Sequence, residues 1–516
     1  MNRRIQSIVV FQFAACCAMP RAAEEPPAIV MSPFEVSANS VEFEQWVKVR
    51  TPQLLIYSDA PVNDVLATAR ELEQLRIAGE RYLGRDSRTA APRIIVLPTS
   101  RSDWRSIEHA GGPEWRVAIS SPAGQLVDLI LVQYNWQLRG RSVLRAATGS
   151  AHLRSLNLLG PPWFDRGMGF FLETARFGAD TVEFGRMSVR ARALWLRGWM
   201  PWPRFFELRY SSPEFLQSDG VRRYTGQCAA FVHYLLTHPD PIWRERLMRW
   251  RSLLRAGREP TEEAFRSVFG QNWTEWQATM ERHRKDRREN VTTIRLTAAE
   301  RDFRVEQVNL PVQEMRELFL LAQILNQRIP ASEQALDNLL ARSLKTEGLR
   351  ELLVEACAKW KRDDGRQAHL RALVEAGSAN PAVHAMYAWN VFRRDVPRTT
   401  IHSRLGEEAA MIRASCTRAL ALEPSHERAL NLLAWTHALG PSVNREDILA
   451  IEQAYRTILG TAPTGEILSA LTIAHGRAGN LGTARGIGEL LVESPLAGRD
   501  AKEVAAALLT EIGTEK

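Results

Sequence analysis

Apolar positions in the first 140 residues follow both strand-like and helix-like spacing. Residues 47–58 alternate apolar and polar side chains around Pro52, which predicts one or two strands. Apolar residues recur at helical spacing over 64–83, and a β-branched run at 93–97 predicts a buried strand. Two further strands are predicted at 117–120 and 127–133. This order of elements predicts an α+β domain with a small mixed sheet plus helices.

Two helices are predicted next, at about 140–157 and 162–175, separated by Gly160-Pro161-Pro162. An extended segment follows at 180–187, and the chain is then helical and rich in tryptophan to about residue 290. A cluster of aromatic residues in this part has the composition of a ligand groove, but we interpret it as core packing. Its members are Trp195, Trp199, Trp202, Phe205 and Phe206.

After about residue 310 the strand signals end and Ala/Leu helical periods dominate. Residues 351–381 and 465–495 each predict two helices around a polar turn, at Asp363-Asp364-Gly365 and at Ala478-Gly479-Asn480. Residues 417–435 contain parts of two such units, and 395–408 is an insertion. The helix pairs and their period of about 34 residues resemble degenerate tetratricopeptide repeats, which implies an all-α repeat domain over 311–516.

The N-terminus has the pattern of an export signal. Arg3 and Arg4 precede a short apolar stretch, and small residues follow at Ala18, Ala22 and Ala23. We therefore expect a signal peptide at 1–23 and a linker rich in proline and serine at 24–45, with Cys16 as a possible lipid anchor. The protein is expected to be periplasmic or extracellular and associated with the cell envelope.

Composition narrows the class of partner only a little. The chain is 45% hydrophobic and 24% charged, with a formal net charge of +8. Its basic residues are scattered, so a solvated surface is favoured over a nucleic-acid site. No later segment is apolar enough to predict a membrane span. Cys228, Cys357 and Cys416 lie in helical patterns without a CxxC pair and are interpreted as small buried hydrophobic residues.

Candidate chemistry is concentrated between residues 143 and 174. A catalytic zincin site needs two histidines one helical turn apart, a glutamate beside the first, and a third ligand from a following helix. The segment PPWFDRGMGFF at 161–171 has the form of that following helix. On this motif and its layout, residues 46–290 resemble the gluzincin-type, peptidase MA-like family of exported bacterial proteins. The resemblance implies a zincin-like α+β domain, joined to the repeats by a linker at 291–310.

The resemblance also locates four functional positions, and three of them have lost their chemistry. Thr148 stands at the first histidine, Gly149 at the general base and Arg166 at the third ligand, while His152 remains at the second histidine. One imidazole is too few for a catalytic zinc, and a guanidinium offers only donors. We therefore expect no catalytic residue, bound metal or cofactor here. Arg166 would bind either a ligand carboxylate or an internal one such as Glu173.

Three hypotheses of function follow. The first is an exported, catalytically inactive metallopeptidase-like protein that binds a protein or peptide through its repeats. The second is an active hydrolase with a rearranged site, using ligands from His109, Asp165, Glu173 or His233. The third is a structural envelope protein without a specific ligand.

Overall fold

Six short strands form a mixed sheet in the order β4-β5-β3-β2-β1-β9. The strands β2, β3 and β5 are parallel, and the pairs β1–β2, β4–β5 and β1–β9 are antiparallel. The strands are β1 Val47–Arg50, β2 Leu54–Ser58, β3 Arg93–Leu97, β4 Val117–Ser120, β5 Asp128–Val132 and β9 Glu306–Val308. The small mixed sheet predicted from the sequence is confirmed.

The computed structural model describes most of the chain beyond residue 44. The predicted signal segment 1–23, Cys16, nearly all of the linker 24–45, His109 and His152 lie outside the described residues. The described residues are 45–84, 93–99, 117–120, 126, 128–132, 144–149, 161–195, 198–209, 212–216, 218–255, 258–286, 290–326, 331–341, 344, 346–395, 405–458, 465–493 and 499–514.

Fifteen residues after the sheet begins, the chain enters the first helix. The helices up to residue 301 are α1 Val62–Leu83, α2 at 144–149, α3 Pro162–Glu173, α4 Val189–Trp195, α5 Trp202–Glu207, α6 Ser218–Thr237, α7 Ile242–Arg255, α8 Glu262–Phe269, α9 Trp273–Lys285 and α10 Ala298–Arg301. The later helices are α11 Val312–Asn326, α12 Ala331–Leu340, α13 Glu347–Lys359, α14 Asp363–Glu375, α15 Pro381–Asp395, α16 Glu408–Leu422, α17 Glu427–Ala438, α18 Arg445–Ile458, α19 Gly465–Arg477, α20 Leu481–Glu493 and α21 Arg499–Thr514.

Alternation along the strands divides the sheet residues between two packed faces. On one face, Ile56, Ile95 and Ile130 join a core with Val65 and Leu72 of α1. This packing explains why the apolar positions of α1 recur at helical spacing.

The opposite face is covered by helices that come more than two hundred residues later. The Tyr57 hydroxyl donates to Glu314 Oε1 of α11 at 2.7 Å, and Lys48 Nζ lies 2.6 Å from the same oxygen. Trp46 packs edge-on against Phe319, with ring centroids 5.2 Å apart. The helix α11 therefore packs on this face of the sheet, and the described parts of the two regions belong to one compact unit.

The aromatic cluster between residues 195 and 206 lies in the core of the α3–α9 region. Trp202, Phe205 and Phe206 are buried, and Trp163 of α3 packs against Phe206 and Phe231. The interpretation of these side chains as core rather than as a ligand groove is confirmed.

Residues 291–310 form secondary structure, where a linker was expected. Residues 181–184 (β7) pair with 292–295 (β8), and β7 also pairs with the short strand β6 at 176–177. The strand β9 then adds to β1 at the edge of the main sheet. These strands are two to four residues long, which is too short for a period-2 pattern to stand out in the sequence. Residues 291–310 therefore contribute one strand to each of the two sheets.

The C-terminal region consists of helices packed on their sequence neighbours. Every second helix starts at Glu347, Pro381, Glu427, Gly465 and Arg499, at intervals of 34, 46, 38 and 34 residues. The long interval contains the expected insertion at 395–408. The turn at 478–480 is confirmed, with Gly479 at φ 77°. The expected turn at 363–365 lies instead at 360–362. Asp363 and Asp364 are in the first turn of α14, where the helix dipole favours negatively charged side chains.

None of the described helices is long and apolar enough to cross a membrane.

Candidate functional site

The helix α3 carries the motif that suggested a peptidase frame. Pro161 and Pro162 start it, since a proline at the first helical position loses no hydrogen bond. Trp163 and Phe164 are fully buried and fix the helix against α6. At Gly167 the two helices approach closely: a β-carbon there would lie 2.6 Å from the carbonyl oxygen of Cys228. The buried aromatic side chains and the close approach at Gly167 fix the position of the start of α3 against α6.

Gly149 of α2 faces the other end of α3. A β-carbon at this position would stand 2.5 Å from Cδ1 and 3.1 Å from Cβ of Leu172. The space in which a side chain at position 149 would begin is therefore filled by Leu172. A glutamate at this position requires Leu172 to move.

Thr148 is buried beside Gly149, and its hydroxyl has no hydrogen-bond partner among the described residues. A buried threonine hydroxyl is a neutral donor and acceptor, and it is a poor ligand for zinc compared with an imidazole. The predicted neighbour, His152, is outside the described part of the chain. Thr148 and Gly149 both lie in the described helix α2.

Arg166 lies in the first two turns of α3 and contacts α6. Its Nη1 donates to the hydroxyl oxygen of Thr225 at 3.1 Å. The nearby guanidinium also lowers the pKa of the Cys228 thiol, although burial is the larger effect and raises that pKa above its ordinary value. Cys228, Cys357 and Cys416 are all buried free thiols, which confirms their interpretation as small hydrophobic residues.

The described residues of the rearranged-site hypothesis lie on two helices, α3 and α6. Asp165 is in the first turn of α3 and Glu173 is its last residue, about 12 Å further along the helix axis by the usual rise per residue. His233 lies on α6, where Nε2 is 3.0 Å from the carbonyl oxygen of Gly185. Among the described residues, no three or more His, Cys, Asp or Glu side chains are grouped to hold a metal ion.

His233 forms a buried pair with His283 of α9. Since His233 Nε2–H donates to Gly185, its Nδ1 is the acceptor that faces His283 Nε2 at 3.2 Å. Burial, with a smaller contribution from His283, lowers the pKa of His233 to about 3. Burial also lowers the pKa of His283 to about 4, with Asp286 opposing the change. Both rings are therefore neutral at physiological pH, and they join α6, α9 and the end of β7.

A second arrangement joins Leu126 to the C-terminal helices, and we call it the Leu126 clamp: Leu126, Glu351, Glu355 and Asn380. The Leu126 N–H donates to Glu355 Oε1 at 2.9 Å, and its carbonyl accepts from Asn380 Nδ2 at 2.7 Å. The other amide hydrogen of Asn380 serves Glu351 Oε1, 2.8 Å away. The leucine side chain is fully buried among repeat residues, including Val354 and Leu370. Glu355 of α13 and Asn380, the residue before α15, thus bind the backbone of Leu126, while its side chain is buried in the same core.

Glu351 is the most perturbed carboxyl group of the clamp. It is fully buried. Its pKa is raised to about 8, chiefly by burial; the hydrogen bond from Asn380 opposes this shift, and the nearby Glu347 and Glu355 contribute to it. The group is therefore mostly protonated at neutral pH, which removes the cost of burying its charge.

The chain was compared with protein-family models, with curated proteins and with solved structures. None of these comparisons gave a match.

The clamp and the histidine pair were missed by sequence reasoning. Glu351 and Glu355 are four residues apart on a helix that otherwise buries apolar side chains, so their periodicity was the available signal. The pairing of His233 with His283 across 50 residues carries no such signal. Both arrangements depend on contacts between distant elements.

Proposed function

We propose that this chain is an exported, catalytically inactive metallopeptidase-like protein that binds a protein or peptide through its helical repeats. The observation that carries the proposal is the close approach of the Leu172 side chain to Gly149. The family resemblance puts the general base at position 149, and Leu172 of α3 occupies the space that a side chain at this position would need. Arg166 stands at the position of the third metal ligand, where it donates a hydrogen bond to Thr225. Its guanidinium places a positive charge at this position.

The repeat region supports the binding half of the proposal. Helical repeats bind extended segments along their surfaces, using side chains that satisfy the backbone of the ligand. The Leu126 clamp binds the backbone of one residue of the chain itself, with Glu355 for the N–H, Asn380 for the carbonyl and apolar neighbours for the side chain. A zincin-like origin of residues 46–290 and export by residues 1–23, with or without lipid at Cys16, belong to the same proposal.

The inactive half is tested by elemental analysis of the purified full-length protein. We expect less than about 0.1 equivalent of zinc, because a catalytic site needs three protein ligands. A His152→Ala variant should have the same content. One equivalent of tightly bound zinc that is lost in this variant contradicts the proposal.

The binding half is tested by selecting random dodecapeptides against the immobilised full-length protein. We expect recurrent sequences after selection, and synthetic copies should bind saturably in solution. A selection that returns no recurrent sequence favours the structural envelope role instead.

A further inference from the structure

Among the methionines that the structure describes, Met411 is the exposed one, and it lies near the start of α16. This residue is 38% exposed, whereas Met386 of the preceding helix α15 is only 1% exposed. A thioether that solvent can reach is open to oxidants, and a thioether in a core is protected from them. The two side chains therefore differ in access to oxidants from solvent.

A hydroxyl group from the core is bound to the sulfur of Met411. Tyr387 of α15 is 5% exposed, and its hydroxyl donates to Met411 Sδ at 3.1 Å. A thioether sulfur is a weak acceptor, and it has two lone pairs. Tyr387 therefore engages one lone pair from the side of the core, and the other is left for a reagent from solvent.

Met386 provides a comparison within the same pair of helices. Its Sδ also accepts one hydrogen bond, which Arg366 Nη2 donates at 3.2 Å, and it directly precedes Tyr387 on α15. Each of the two sulfurs thus has one polar donor. A difference in reactivity between Met386 and Met411 therefore reports on exposure and not on the presence of a hydrogen bond.

We propose that Met411 is an oxidation site that accepts one oxygen atom from a peroxide on the face of its sulfur that is turned away from Tyr387. The free lone pair of the sulfur attacks one peroxide oxygen, so that an S–O bond forms and the O–O bond breaks. The proton of the transferred hydroxyl group passes through solvent to the departing hydroxide, which leaves as water. The sulfur loses two electrons, and the peroxide gains them.

The product is chiral at sulfur, which gives the proposal a specific signature. A methionine in an unfolded chain presents both lone pairs alike and yields the two sulfoxide epimers in similar amounts. In the folded protein Tyr387 blocks one lone pair of Met411, so one epimer should predominate. The reaction also replaces an exposed apolar group of α16 with a polar one.

The test treats the full-length protein with hydrogen peroxide and follows each methionine by peptide mass spectrometry. Met411 should be oxidised at least about tenfold faster than Met386 in the folded protein, because only Met411 is exposed. The two rates should become equal when the protein is unfolded in urea before peroxide is added. Equal rates in the folded protein overturn the proposal.

The two stereospecific methionine sulfoxide reductases then measure the epimers in the digested protein, since each enzyme reduces only one of them. One enzyme should reduce at least about three-quarters of the Met411 sulfoxide formed in the folded protein, and about half of that formed in urea. Equal epimers in the folded wild type overturn the proposal, and this comparison requires no variant.

Two variants test the part played by the hydroxyl group. Tyr387→Phe removes the donor and should bring the epimers formed in the folded protein close to equal amounts. The matched control Tyr455→Phe, at a half-buried tyrosine on α18, should keep the bias of the wild type. A bias that survives Tyr387→Phe, in protein whose thermal unfolding is unchanged, overturns the assignment of the blocked face to Tyr387.

Discussion

Glu351 changes the pH dependence of stability through one proton. In the folded protein its pKa is about 8, whereas an unfolded glutamate titrates near its ordinary value of 4.5. Between these values the folded state holds a proton that the unfolded state has lost. The contribution of Glu351 to the unfolding free energy is therefore best below pH 4.5 and declines as the pH rises towards about 8.

We expect Glu351→Gln to be more stable than the wild type at pH 8, because glutamine keeps an acceptor for Asn380 without a titrating group. The difference in unfolding free energy should grow from pH 5 to pH 8, by up to about 1.4 kcal/mol per pH unit. Urea denaturation at pH 5, 6, 7 and 8 measures it. A matched Glu375→Gln change at an exposed position on α14 should show no such growth. A difference that is constant with pH would sink this account of Glu351.

The histidine pair acts in the opposite direction. Folded His233 and His283 have pKa values of about 3 and about 4, below the ordinary 6.5 of an unfolded histidine. The unfolded state binds more protons between pH 6.5 and 4, so their contribution to stability is lost as the pH falls through that window. The variant His283→Gln retains a donor for His233 Nδ1 but removes one titrating group. We therefore expect the number of protons taken up on unfolding in this pH window to fall by about one. The slope of unfolding free energy against pH, measured from 6.5 to 4.5, checks it; an unchanged slope contradicts the neutral pair.

At the scale of elements, glycines allow helices to pack closely: α2 contacts α3 at Gly149, and α3 contacts α6 at Gly167. Gly167→Ala should destabilise the protein by about 1–3 kcal/mol, because its β-carbon would meet both the Cys228 carbonyl and Val232 Cγ2, at 2.6 and 2.3 Å. Gly486→Ala on α20 is the control: nothing lies within 4 Å of its β-carbon, and alanine favours a helix there by about 0.5–1 kcal/mol. Denaturation curves compare the two. A neutral Gly167→Ala would show that α3 and α6 are less closely packed.

Elements with a full period of apolar residues were predictable from the sequence. The helix α1 and the strand β3 follow from side chains that face one core, and α19 and α20 from the turn around Gly479. The strands β8 and β9 were not predictable, since strands of three or four residues depend on the partners they pair with. For the candidate site, Thr148, Gly149 and Arg166 could be singled out by comparison with a motif. Their contacts with Leu172 and Thr225 could not, because these residues approach only through helix packing.

At the scale of the whole molecule, Glu314 connects the sheet to the repeats. It accepts from both Lys48 and Tyr57, and Lys48 is only 4% exposed. Glu314→Ala should cost about 3–5 kcal/mol of unfolding free energy, because it leaves a buried ammonium without its partner. Glu317→Ala on the same helix α11 should cost less than about 0.5 kcal/mol, since that side chain is more exposed. Chemical denaturation of both variants measures the difference, and similar costs would contradict an interface role for Glu314.

A shared sheet also predicts one unfolding transition for both regions. Tryptophan fluorescence reports mainly on the region before residue 290, and circular dichroism at 222 nm reports on all helices. We expect the two signals to change at the same urea concentration, because separating the regions would expose the second face of the sheet. Two resolved transitions would show that the repeats unfold independently.

The position of Leu126 among the repeat helices has a consequence for synthesis. A ribosome delivers β5 and its uncovered face long before residues 351–380, which receive Leu126, have been made. During that interval Leu129, Leu131 and Leu126 remain without their final neighbours, and the strand β9 that completes the sheet edge is also missing. The native packing around Leu126 and at the β1 edge of the sheet therefore forms only after the C-terminal half has been made, and these apolar side chains are open to other contacts until then.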